Sequence, residues 1–356
     1  MTPAAIADAI LAGNDAALDE ATLVGWLRGG EGSPSTWELM SAADRLRRAF
    51  FGNKVHLCSI VNAKQGGCPE DCGFCSQSKH FDTHITPQKF LTVPEMVEAS
   101  AKAKTQRATA LGLVTATRGM ADGDKPLDLM IEGVRAIREA GHTEAHASLG
   151  ILDEAGLRKL VAAGLTELNH NLETGRSYFE QIVTTHSYDE RIATVKLAKQ
   201  LGLRTCCGGI FGMGEQPEHR AELAMALREL DVDEVPINFL VSIDGTKLQK
   251  VEPMQPLDML RIIACFRLAL PRQNIFIAAG RMHLGQALPM MFSAGASGMM
   301  VGDFLTTPNR GVDDDLQMIA DLGLETQVCG DARAEMQRPS VASGRSDGRV
   351  GLAVVG

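Results

Sequence analysis

The chain has 356 residues, 45% of them hydrophobic but only 4% aromatic, with 36 glycines and 16 methionines. That length suits one large α/β domain with extensions, and the apolar share is enough for a sizeable core. A formal net charge of −9 without any basic run argues against a nucleic-acid partner, and no stretch approaches the roughly 18 uninterrupted apolar residues of a membrane span.

Residues 1–52 carry apolar side chains at helical spacing in AIADAILAG and WELMSAADRLRRAFF and read as a helical extension. Short apolar or β-branched runs then recur at 55–62, 108–115, 143–149, 165–171, 204–211, 234–241, 274–280 and 297–302. Amphipathic stretches of helical length separate them, such as PLDLMIEGVRAIREAG, DEAGLRKLVAAG, YDERIATVKLAKQLG and PEHRAELAMALREL, and several end in Gly. Eight strand–helix repeats predict a parallel (β/α)8 barrel of the TIM type over residues 53–330. An open doubly wound sheet is the structural alternative, but no GxGxxG loop follows the first strand. The polar segment 331–356 lacks periodicity and reads as a flexible tail.

Directly after the first strand comes CPEDCGFC, with Cys68, Cys72 and Cys75 at C-x3-C-x2-C spacing. Thiolates are soft ligands suited to iron–sulfur clusters or zinc. Three thiolates on a cubane of four irons leave one iron open for a small molecule. A structural zinc site wants four ligands, which His80 or His84 could complete, yet no second cysteine pair follows. The loop falls at the C-terminal mouth of the barrel, where active sites of this architecture lie. Eight cysteines with one such cluster, and an N-terminus without the basic start of a signal peptide, fit a reducing cytoplasm.

With Phe74 before the last cysteine, this motif resembles the signature of radical S-adenosylmethionine enzymes. Within that superfamily the chain resembles the biotin synthase family. CPEDCGFCSQS, NHNLET, TTHSYDER, GGIFGMGE, VPINFLV, GTKL and GDFLTTPN match in order between residue 55 and about residue 325. The resemblance implies that Cys68, Cys72 and Cys75 hold a 4Fe–4S cluster whose open iron chelates S-adenosylmethionine. Reductive cleavage would give methionine and a 5′-deoxyadenosyl radical able to abstract hydrogen from dethiobiotin, the cofactor carrying the hard step.

The same resemblance places Phe74 against the adenine, and Asn171 and Glu173 near the ribose and substrate, with Glu173 standing where the family usually has Asp. It assigns Arg191 to the methionyl carboxylate, a bidentate task suited to guanidinium, and Asn238 to the ureido ring of dethiobiotin. Gly208 and Gly209, with Gly212 and Gly214, would let the backbone approach the cofactor, whereas Lys64 reads as a loop charge. A reductant such as flavodoxin or ferredoxin and a homodimer are the implied partners.

The family's second, 2Fe–2S cluster takes three cysteines and an arginine from strands two, three, five and seven. Those positions here are Gly112, His146, Cys206 and Phe276. The expectation is an auxiliary cluster of altered ligation, using Cys206 with Cys58 or His146 beside it. Strand alternation lets only one of Cys206 and Cys207 face the interior. The alternative makes Cys58 and Cys207 small core residues and His146 a hydrogen-bonded histidine. Cys265 and Cys329 read as structural. Two rival functions stay open: a radical enzyme that inserts no sulfur, and a zinc- or cluster-stabilised binding protein.

Overall fold

In the computed structural model, described for residues 1–307 and 309–327, the N-terminal segment forms three helices. They are α1 (Pro3–Leu11), α2 (Glu20–Arg28) and α3 (Thr36–Phe51). Each begins at an oxygen-bearing cap, Thr2, Asp19 and Ser35, and Ser35 completes a capping box with Glu38. The expected tail and Cys329 lie outside the described residues.

All eight expected strands are present: β1 (Lys54–Lys64), β2 (Ala110–Thr115), β3 (Glu144–Ser148), β4 (Glu167–Asn169), β5 (Arg204–Cys206 and Gly209–Phe211), β6 (Glu234–Phe239), β7 (Asn274–Ile277) and β8 (Gly298–Met300). Each pairs in parallel with the next, and β8 returns to β1 through His56 and Gly298, so the sheet closes into a barrel. Three two-residue strands lie outside this ring, at Gly119–Met120, Ile151–Leu152 and Glu325–Thr326.

The fifth strand departs from the uniform run expected over 204–211. It breaks at Cys207 and Gly208, although Cys206 pairs with Glu234 before the gap and Gly209 with Ile237 after it. Pro236 stands between those partners and has no N–H to give the ladder. Gly208 fills the gap so tightly that a Cβ there would sit 2.1 Å from the Pro236 oxygen.

The connecting helices are α4 (Val93–Thr105), α5 (Lys125–Ala140), α6 (Glu154–Ala163), α7 (Arg176–Ile182), α8 (Tyr188–Gln200), α9 (Pro217–Glu229) and α10 (Pro256–Ala269). The N-terminal helices dock on this outer layer, α3 against α10 and α2 against α9. Arg267 on α10 is fully buried beneath them. Its guanidinium donates to the carbonyls of Gly295, Leu270, Pro271 and Gln273 and lies 4.6 Å from the centre of the Phe51 ring. Burial pulls it down to about 9. Among the described residues, no helix is long and apolar enough to cross a membrane.

Candidate active site

The cysteine loop is fixed by backbone geometry before any ligand is considered. Gly66 and Gly67 both take positive φ, and a Cβ at Gly66 would lie 2.9 Å from the Pro87 Cα. Lys64 reaches over the turn, donating at 2.6 Å to the carbonyls of Gly66 and Ala116, so it braces the loop instead of sitting in solvent. Cys68 exchanges backbone bonds with Gln77 and Lys79, and Cys75 N–H donates to the Cys72 carbonyl at 2.9 Å.

Three observations favour a cluster over a single ion here. Backbone N–H groups of Glu70, Gln77 and Ser78 point at the Cys68 and Cys75 sulfurs, donors of the kind that steady cluster thiolates. The loop also supplies three thiolates and no fourth cysteine, one ligand short of the closed tetrahedral set of a structural zinc site. Finally, His80 and His84 are exposed and the His80 ring bonds the Pro69 carbonyl, which removes the support for a zinc-completing histidine. Burial pushes the Cys75 thiol up to about 11 and raises Cys68 and Cys72 as well, while Arg191 draws the latter two back.

The fourth strand delivers the facing groups. Between the Asn169–Cys206 pair and the Glu173–Gly209 bridge, three residues on one strand lie against two on the other. The extra residue is accommodated as in a bulge, with Glu173 at φ 69°. Asn171 accepts from Gly208 N–H at 3.1 Å and its amide lies 3.5 Å from Glu173. Burial raises the Glu173 carboxyl, and Arg191, 3.6 Å away, works against that rise. Cys72, Arg191 and Glu173 interact electrostatically, so the structure brings the loop cysteines, Asn171, Glu173 and Arg191 together. Phe74 is half-buried and packs on the core.

Three expected contributors, Gly208, Gly209 and Asn238, carry an internal duty. A Cβ at Gly209 would lie 2.5 Å from the Glu173 oxygen, so Gly208 and Gly209 are demanded by neighbouring backbone. Asn238 donates to Gly209 O at 3.2 Å and accepts from Ala279 N–H at 3.1 Å, and its second amide hydrogen makes no bond among the described residues.

Deeper in the barrel, inward positions hold charges where aliphatic layers are usual. Arg204 donates to Glu144 at 2.7 Å and to Glu167 at 3.3 Å; His146 meets Glu167 at 3.0 Å and Glu144 at 3.6 Å. Burial opposes the charged form of His146, but Glu167, Cys58 and Glu144 raise it well above the ordinary histidine range. Glu234 is met by His56 at 3.1 Å and Asn274 at 3.2 Å. Cys206 faces this interior and accepts from Asn169 at 3.0 Å, while Cys207 is fully buried and interacts with Tyr188 on α8. Cys265 is buried on α10, in keeping with a structural role.

The familiar auxiliary-cluster set does not fit. Gly112 offers no side chain, and Phe276 packs its ring 5.9 Å from that of His56. Cys58 interacts electrostatically with His146 and with Cys206, while its thiol donates to the Ser59 carbonyl and the donors gathered within 4.8 Å of Cys206 are Glu167 and Glu234. Glu70, His186 and the whole interior acidic set went unnoticed in the sequence. The available signals were PED inside the cysteine motif and polar residues at alternate positions of His56-x-Cys58, Glu144-x-His146 and Arg204-x-Cys206.

Residues 63–227 match the Radical SAM superfamily and residues 236–325 match the Biotin and Thiamin Synthesis associated domain. The chain is 45% identical to biotin synthase of Syntrophotalea carbinolica over 84% of its own length and 91% of that protein. It is 47% identical to biotin synthase of Trichlorobacter lovleyi, covering 82% of this chain and 87% of the relative. Its fold is shared with methylornithine synthase (TM-score 0.76, 22% identity, 93% and 99% of the two chains). It is shared too with the [FeFe]-hydrogenase maturase HydG (TM-score 0.77, 14% identity, 93% and 77%). On its sequence relatives, this chain belongs to the biotin synthase family of radical S-adenosylmethionine enzymes.

Proposed function

We propose that the chain forms biotin by inserting sulfur into dethiobiotin. The observation that carries the reading is the convergence of the three loop cysteines with Arg191, Glu173 and Asn171 at the barrel mouth. Cys68, Cys72 and Cys75 fit a 4Fe–4S cluster, which when bound supplies the electron that cleaves S-adenosylmethionine and so yields the hydrogen-abstracting radical. Arg191 pairs with the methionyl carboxylate, and its Nη2 edge makes no bond among the described residues. Glu173 and Asn171 present an acceptor and an amide to the ribose and substrate, and Phe74 supplies an apolar face for adenine. Asn238 directs its remaining amide hydrogen to the ureido carbonyl. The closed barrel excludes water from the radical.

Cys206, Cys58 and His146 are the residues we assign to an auxiliary cluster of altered ligation, the source of the sulfur atom. Residues 53–330 act as the catalytic unit and 1–52 as an extension. A cytoplasmic flavodoxin- or ferredoxin-type protein serves as reductant, and the working form is a homodimer. The loss of ligands at Gly112 and Phe276 favours a second reading, radical chemistry without sulfur insertion.

Iron and sulfide analysis with Mössbauer spectroscopy separates the two, using anaerobically reconstituted wild type beside a Cys68/Cys72/Cys75 triple alanine variant. Residual cluster in the triple variant, with biotin formed from dethiobiotin by wild type, is the expected result. No residual iron and no biotin would give the second reading the lead.

A further inference from the structure

Glu70 stands between the first two cysteines of the loop, and His186 precedes α8 by two residues, 116 positions later. Both side chains are buried, 8% and 5% exposed. The His186 Nδ1–H donates to Glu70 Oε2, which leaves Nε2 as a bare acceptor. Arg191 Nε–H donates to that Nε2 at 2.9 Å, and its Nη1 donates to the Asn171 carbonyl at 2.7 Å. Glu70 is itself fixed by the Thr185 hydroxyl at 2.7 Å and by Arg118 at 3.4 Å. Next to it, Asp71 accepts from the Thr184 and Thr185 N–H groups at 2.9 and 3.2 Å. Residues 184–186 therefore hang on the Glu-Asp pair inside the cysteine motif.

The chemistry of the middle link matters. A carboxylate in the place of His186 would orient Arg191 but also neutralise it. A neutral imidazole orients the guanidinium without adding a second carboxylate to the Glu173 contact at 3.6 Å, and Glu70 is held one ring away. Burial, with Arg191 facing it, keeps His186 below its ordinary value and so uncharged near neutral pH.

We propose that Glu70 and His186 are positioning residues that aim Arg191 at the carboxylate of S-adenosylmethionine, so that the loop holding the cluster also sets the place of the amino-acid end of its cosubstrate. This rests on the assignment of Arg191 given above. It adds two residues that touch neither cluster iron nor the reacting atoms.

The test is the dissociation constant for S-adenosylmethionine, read from its perturbation of the reduced cluster's EPR signal in anaerobically reconstituted full-length protein. Iron content is measured on the same samples. His186→Leu is expected to weaken binding about ten- to a hundredfold at unchanged iron, the scale of one charge-assisted hydrogen bond. His186→Gln can donate to Glu70 and accept from Arg191, and should stay within about threefold of wild type. His186→Glu keeps an acceptor but cancels the charge, and should bind about tenfold or more weakly; this variant carries the test if His186→Leu fails to hold iron. Wild-type affinity in His186→Leu or His186→Glu, beside weakened binding in Arg191→Leu, would overturn the proposal alone. Wild-type affinity in Arg191→Leu would overturn the assignment beneath it.

Discussion

The mouth of the barrel and its interior are made of similar polar residues in opposite states of completion. In the interior, Arg204 and His146 answer Glu144 and Glu167, while His56 and Asn274 answer Glu234. At the mouth, the loop thiols meet backbone N–H groups, and Arg191, held by the neutral acceptors His186 Nε2 and Asn171 O, meets a carboxylate loosely, Glu173 at 3.6 Å. Buried charges that are mutually satisfied act as scaffold, because removing one strands the others. Groups gathered without full partners are aimed at something the chain itself does not supply. Cys206 belongs to both descriptions, since it sits in the paired interior within 4.8 Å of Glu167 and Glu234 yet interacts with a second thiol, Cys58 on β1.

The contrast can be broken or sharpened by substitution. The largest effect is expected from Cys72→Ala, which should abolish release of methionine and 5′-deoxyadenosine while the chain stays folded; full cleavage activity would refute the loop as the radical site. Arg204→Met leaves Glu144 and Glu167 with one shared histidine and should cost about 3 kcal/mol or more in denaturant unfolding, with little change if the interior pairs are not needed. Cys206→Ala should spare S-adenosylmethionine cleavage but remove the iron that survives in the triple alanine variant, and with it biotin formation. Unchanged residual iron would return Cys206 to the scaffold. The smallest effect is expected at Arg118, whose side chain is 42% exposed beside Glu190 and Glu70. Arg118→Ala should cost less than about 1 kcal/mol, and a larger loss would mean that the mouth, too, depends on its ion pairs.

The barrel was legible because its signals are local. Each strand is a short apolar run, and the helices between carry their own period, α5 and α6 with a glycine stop at Gly141 and Gly164. The cysteine triad was legible for the same reason, all three ligands lying within eight residues. What escaped depends on register between distant strands. The break in β5 follows from Pro236 opposite Gly208, and nothing in CCGG announces it. The interior network draws Glu144, Glu167, Arg204, Glu234 and Asn274 from five strands, and only strand pairing makes them neighbours. Glu70 and His186 could be seen as polar residues in matched motifs, but their contact could not. Alternation narrowed one point in advance: one of the two adjacent cysteines could face the interior, and Cys206 is the one that lies beside Glu167 and Glu234.

The surplus residue at the end of β4 makes this rim sensitive to length as well as to chemistry. Point substitutions between His170 and Glu173 test what a side chain does, but they leave the count of residues intact. Deleting one residue there would let the strand run on evenly against β5, without the left-handed turn at Glu173. Because successive side chains point to opposite faces, that slip would carry a mouth carboxylate round to the helix layer. A one-residue gap in NHNLET is thus a harsher lesion than any single exchange within it, and homologues that differ there in length cannot share this constellation even where every letter around the gap agrees.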